Sequence, residues 1–293
     1  MPLPDAVREF YTQPSAMTSP GAHAAAFDAL PSEIDALRGV IQGMMIHEHW
    51  APAYRVRLSA ERKLESHLRS TVQMLDATFA KNASPLAGGR SLYQKTVGVC
   101  RHFTVLMVAM LRAKGIPARS RCGFGGYFSA GKFEDHWVAE YWDGARWRLT
   151  DAQIDPSQRA ILHLAMDLTD VPRDKFLTAG DAWQRCRDGR ADPNTFGIFD
   201  ERGLWFVGQN LIRDFAALNN MEMLPWDNWG AMVEPDALPI PDETIALMDR
   251  VAALTMDPDI HFEELRALYE DARLAVPDVV YNAVLKKDDV VAV

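Results

Sequence analysis

The 293-residue chain holds only three cysteines, Cys100, Cys122 and Cys186, too few and too odd in number for a disulfide scaffold. Reduced thiols are the reading. Positive charge is also in short supply: 31 Lys and Arg stand against 40 Asp and Glu, a formal net charge of -9, which argues against phosphate backbones or anionic lipid as main partners. No long apolar run occurs, and the densest, Val105 to Leu111, falls far short of the ~20 residues that span a bilayer. The first residues, MPLPDAVREFYTQ, put acids and prolines where a signal peptide has a basic end and an apolar run. The expectations are no nucleic acid, no membrane and a cytoplasmic location, with the oligomeric state left open. Internal repeats and low-complexity tracts are lacking too. Apolar residues are plentiful: at 48% they allow a sizeable core without staples.

Along the chain, residues 1–90 read as an N-terminal arm and helices packed on the core. The first 30 residues suggest a loosely attached arm with a short helix near Asp5–Tyr11. Pro31-Ser32-Glu33 opens a helical pattern with Ile34, Leu37, Val40, Ile41 and Met44 on one face, and Ser59 to Ala80 reads as a second helix. Residues 91–155 form the expected core, a nearly all-apolar helix followed by two or three short strands. Residues 156–293 read as a mostly helical extension, forming one compact unit with the core. Within it, helices at Asp242–Thr255 and Phe262–Ala272 precede a short acidic and apolar tail.

The core helix lies in GVCRHFTVLMVAMLRAKGIPAR. From Phe103 to Leu111 only Thr104 is polar, so this helix is expected to be buried on nearly all sides. Gly115 suits a left-handed cap and Pro117 cannot continue the helix, which sets Cys100 in the first turn. There the positive end of the helix dipole favours a thiolate, the nucleophilic form, and Gly98 permits a close backbone approach. A free cysteine more often simply packs in a core, so Cys100 alone decides nothing.

The segment GKFEDHWVAEYWDGARWRLTDAQID supplies a hairpin with Asp143-Gly144 as its turn. A two-residue loop there sets Trp142 opposite Ala145 and His136 opposite Asp151, close enough for a carboxylate to hold an imidazole N–H. A four-residue loop with Tyr141 facing Arg146 keeps that pairing, whereas a three-residue loop breaks it. A cysteine at a helix start and a carboxylate-held histidine are the parts of an activated nucleophile, although a core cysteine and an ordinary surface His–Asp pair remain an open alternative.

Together, GVCRHF with LMVAMLRAKGIPAR and DHWVAEYWDGARWRLTDAQ resemble the transglutaminase-like superfamily. Its pattern is Gly-x-Cys at a helix start, a Gly-Ile-Pro-Ala-Arg exit, a His-bearing strand and a strand ending in Asp. The likeness covers roughly Leu92 to Asp155, with 36 residues from Cys100 to His136 and 15 from His136 to Asp151. It implies an α+β, papain-like core with a central nucleophile-bearing helix packed on a small antiparallel sheet, plus added helices. It also implies catalytic roles for Cys100, His136 and Asp151. The chain departs from the pattern at His102, where the family commonly has an acid, and at Asp151-Ala152-Gln153, where it often has Asp-Pro-Thr. The implied activity is that of a cysteine hydrolase or acyltransferase working on amide or thioester bonds of a small-molecule or peptide substrate, with no cofactor. The rival is a binding module that keeps the fold as a scaffold.

The first oxyanion candidate is the N–H of Cys100. Gln94, six residues earlier, is the second, with Tyr93 and Trp50 as rivals. His47-Glu48-His49 and the Cys100/His102 pair give no closed tetrahedral ligand set, so no metal is expected, though His47 or His49 can line a pocket.

Overall fold

A computed structural model describes residues 2–291. Met1, Ala292 and Val293, at the outer ends of the ranges 1–90 and 156–293, lie outside the described residues. By internal contacts the chain forms two compact units, one of residues 2–120 and 138–171, the other of 121–137 and 172–291.

The first unit contains α1 (Asp5–Thr12), α2 (Ile34–Met44), β1 (Met45–His47), α3 (Ala60–Lys63), α4 (Thr71–Lys81), β2 (Thr96–Gly98) and α5 (Cys100–Ala113). The strands β3 (Ala118–Gly125) and β4 (Phe133–Trp142) each have residues in both units, and β5 (Trp147–Thr150) and α6 (Pro156–Ile161) complete the first. α5 is its centre: every residue from Cys100 to Arg112 is buried, and Phe103 to Leu111 join the core with Leu37, Ile41 and Met44 of α2, Met74 and Leu75 of α4, and Ala118, Ala139 and Tyr141 of the strands. The exit is as read from the sequence. Gly115 has φ +73°, and the Ile116 N–H returns to the Leu111 carbonyl at 3.0 Å.

Three local expectations are corrected. The N-terminal arm is not loosely attached, because Leu3, Val7 and Tyr11 recur four apart and bury a stripe; Tyr11 is fully covered and meets the Trp147 ring edge-on at 6.0 Å. The single helix expected over Ser59–Ala80 is broken. Ser70 accepts the Gln73 N–H and Gln73 reaches back to the Ser70 N–H, a capping box that starts α4 afresh and leaves Leu64 exposed. The hairpin register is also shifted. Trp142 pairs with Trp147 and Ala139 with Thr150 across a four-residue loop, not Trp142 with Ala145. Asp143 accounts for this, since its carboxylate accepts the N–H groups of Ala145 and Arg146 at 2.8 Å each while Gly144 takes φ +101°.

The second unit contains β6 (Phe176–Thr178), α7 (Ala179–Arg187), β7 (Phe196–Ile198), β8 (Glu201–Arg202), α8 (Leu204–Leu218), β9 (Asp227–Asn228), α9 (Asp242–Met256), α10 (Phe262–Leu268), β10 (Val279–Asn282) and β11 (Lys287–Val290). The tail read as acidic and apolar is the β10–β11 hairpin, paired to β9. The largest sheet runs β6-β3-β4-β7-β8 with β5 also on β4. β6 and β5 join antiparallel, and β7 adds a parallel pairing that the sequence did not foreshadow.

Candidate active site

Cys100 is the first residue of α5, after Val99 at the cap in extended conformation. The chain enters the helix from β2, whose Gly98 has no room for a side chain: a Cβ there would fall 2.7 Å from the Met45 methyl and 2.8 Å from His102. His102 closes this entrance. Its Nδ1 accepts the Val99 N–H at 3.1 Å, as a capping glutamate would. Burial, with the Arg101 guanidinium beside it, pushes the imidazole down to about 3, so His102 is neutral at ordinary pH. The departure from the family pattern at this position is thus a neutral cap in place of an acid. Cys100 itself is 7% exposed.

Asp151 follows the last residue of β5 and is fully buried. Its Oδ1 accepts the N–H groups of Gln153 at 2.9 Å and Ile154 at 3.3 Å, forming a tight turn. α2 clamps that turn from one side. Arg38 donates to the carbonyls of Asp151 and Ile154, and Gln42 to those of Ala152 and Ile154. These two donors were missed in the sequence; their signal was a pair of polar residues four apart on the otherwise apolar face of α2.

His136 lies in the second-unit part of β4 and is 2% exposed. Phe128 and Tyr127 meet its ring edge-on at 4.8 and 5.8 Å, and Phe176 lies at 6.4 Å. The observed register, with Ala139 facing Thr150, differs from the one that would set Trp142 opposite Ala145. Alternation puts Val138 and His136 on one side of β4.

Gln94 ends a short turn, Leu92–Gln94, and its Oε1 accepts the N–H and hydroxyl of Ser91. Its amide is therefore committed on one side to its own turn. The His47 Nδ1 accepts the His49 N–H, and among the described residues no group of three or more His, Cys, Asp and Glu is placed to hold a metal ion. Among the described residues no helix is long and apolar enough to cross a membrane.

Residues 51–152 match the family model of the transglutaminase-like superfamily. The likeness is confined to this stretch, about a third of the chain. It starts well before Leu92, takes in α3 and α4, and includes both Cys100 and Asp151 as well as His136. The matched stretch sits in an α+β chain whose α5 is a buried helix with a cysteine at its start. A solved structure from Cytophaga hutchinsonii, described as a candidate cysteine protease, is 18% identical over 60% of this chain and has a TM-score of 0.37. This chain spans 46% of that structure's length, and a likeness at that level carries no argument. No curated relative matches the chain.

Proposed function

We propose that the chain is a cysteine-dependent hydrolase or acyltransferase acting on amide or thioester bonds through an acyl-enzyme. Cys100 is the nucleophile: its thiolate adds to the carbonyl carbon. His136 takes the thiol proton and returns it to the leaving group, and Asp151 holds the imidazole in the tautomer that can do so. The N–H of Cys100 donates to the developing oxyanion, with Gln94 as the second donor. Water or an amine then releases the acyl group. The reaction uses no cofactor, the substrate is a small-molecule or peptide amide, and the location is cytoplasmic.

The observation that carries this reading is the position of Cys100, first residue of a buried helix inside the family-matched stretch. A cysteine needed only for packing gains nothing from a helix start. There, the dipole lowers a thiol's pKa.

The test is incubation with activated acyl esters followed by mass spectrometry of the intact protein and its peptides. An acyl adduct on Cys100 that turns over with water or an added amine supports the enzyme. A chain that stays unmodified while Cys100 is accessible to small alkylating agents overturns it in favour of a binding scaffold.

A further inference from the structure

The first unit has a small cleft that the catalytic reading does not use. It is bounded by α2, β1, the turn after Asp151 and the start of α6, and its apolar wall includes Met45, Leu92 and Phe103. Phe103 stands one turn beyond Cys100, and His47, also on the lining, pairs in register with Gly98. Its polar lining is a fixed chain of hydrogen bonds. Asp155 accepts the Tyr54 hydroxyl at 2.7 Å, Tyr54 accepts the Gln158 amide at 2.9 Å, and Gln158 accepts the Gln153 amide at 3.1 Å.

That chain fixes which way Gln153 points. Its Nε2 is used, so its Oε1 is held as an acceptor, and this atom is buried without a hydrogen-bond partner although the residue is 3% exposed. An unmet buried acceptor costs about 1–3 kcal/mol, so a donor is called for. Nearer the mouth two opposite charges face the same space without pairing. Lys95 gives one hydrogen bond, to the Gln42 carbonyl at 2.7 Å, and Asp155 takes those from Tyr54 and the Gln158 N–H. Both residues are only half-buried, whereas Gln153 and Gln158 form the floor.

We propose that this cleft binds the charged head of a free α-amino acid. The ammonium reaches inward, donating to Gln153 Oε1 with Asp155 alongside, and the carboxylate stays at the mouth on the Lys95 ammonium. The enclosed part is about 10 Å³, the space of roughly one water, so one small group enters and the rest of the ligand lies outside. Neither charge alone fits: an isolated amine meets Lys95, and an isolated carboxylate meets Asp155 and the Gln153 acceptor. This assignment does not depend on the acyl-transfer reading.

Calorimetric titration of the full chain carrying Cys100→Ala, with glycine, methylamine and acetate as probes, tests it. Glycine should bind, with methylamine and acetate each weaker by about tenfold or more, the worth of one charge-assisted hydrogen bond. Gln153→Leu and Lys95→Met should each weaken glycine by a similar factor, with circular dichroism unchanged. Because Lys95→Met leaves the floor untouched, it keeps the test decisive if Gln153→Leu fails to fold. No glycine binding would mean that a water alone occupies the cleft, and that result, equal binding of the single-charge probes, or unchanged affinity in Lys95→Met would overturn the proposal. As Cys100 is absent from the protein used, neither outcome bears on catalysis.

Discussion

Each unit has one long, almost wholly buried helix, and the two differ in where they put their polar residues. In α5 these cluster at the ends, Arg101, His102 and Thr104 at the start and Arg112 at the exit, around an apolar middle. In α8 they fill the middle, Gln209, Asn210, Arg213 and Asp214. The midsection groups of α8 are met by side chains from distant parts of the chain. Asp214 accepts from Arg121 Nε at 3.0 Å, from its Nη2 at 2.8 Å and from the Cys122 N–H at 2.8 Å, while Asn210 donates to Asp135 and Arg213 to Asn228. The end groups of α5 work on backbone: His102 caps Val99, and Arg112 donates to the Ala118 and Gln13 carbonyls. Equal burial thus serves two ends. Polar groups in a buried helix's middle tie segments together, whereas at its start they shape the entrance that presents Cys100.

The largest effect should come from the nucleophile. Cys100→Ala should lower turnover of an acyl ester about 10³-fold or more, as removal of a nucleophile does, with the denaturation midpoint nearly unchanged. If turnover persists, α5 is a core helix like α8 and nothing more. The converse holds for α8. Asp214→Ala strands Arg121, which is 2% exposed, and should cost about 3–5 kcal/mol in urea unfolding. A variant as stable as the parent would show that the midsection network holds nothing together.

The entrance of α5 should also be visible in pH. His102 binds protons only near 3 when folded but near 6.5 when unfolded, so its contribution is complete above about 6.5. As pH falls the unfolded chain gains a proton that the folded one refuses. The loss should reach about 2 kcal/mol by pH 5 and continue toward 3. His102→Asn should flatten that part of the stability curve; an unaltered slope between pH 6.5 and 5 would mean that His102 is protonated in place.

The same contrast decides how much was legible in the sequence. α5 was readable because its apolar run is uninterrupted and Gly115-Ile116-Pro117 marks its end. α8 was not, because Gly208, Gln209, Asn210, Arg213 and Asp214 look like solvent-facing residues until Arg121, Asp135 and Asn228 are brought to them from far along the chain. The hairpin was found but its register was not. Asp143-Gly144 advertises a two-residue turn, and only the extra bonds from the Asp143 carboxylate to Ala145 and Arg146 select four. Of the candidate site, the helix start at Cys100 could be read from the apolar run and its exit. The clamp of Arg38 and Gln42 on the Asp151 turn depends on which carbonyls face α2, which no pattern along the chain encodes.

The smallest effect is the reactivity of Cys100 against the second unit's Cys186, whose flanking Arg185 and Arg187 would by themselves favour a thiolate. The structure removes that concern. Arg185 is held by Asp181 at 2.9 Å and Arg187 by Asp249 at 3.1 Å, and burial, with Asp192 adding to it, pushes the Cys186 thiol up to about 11. Its thiolate fraction at pH 6 is then on the order of 10⁻⁵, against about 10⁻²·⁵ for an ordinary thiol. Labelling of Cys186 by iodoacetamide should rise about tenfold per pH unit from 7 to 10 and level off only near 11. Cys122, fully buried in β3, should stay silent until the protein unfolds. Cys100 should be labelled first at pH 6, and His136→Ala should slow it about tenfold, the worth of one pKa unit, while Cys186 keeps its rate. Mass spectrometry of time-resolved digests separates the three sites. If Cys100 is no faster than Cys186 at pH 6, and His136→Ala changes neither, the start of α5 confers no thiolate character and the distinction between the two buried helices reduces to packing.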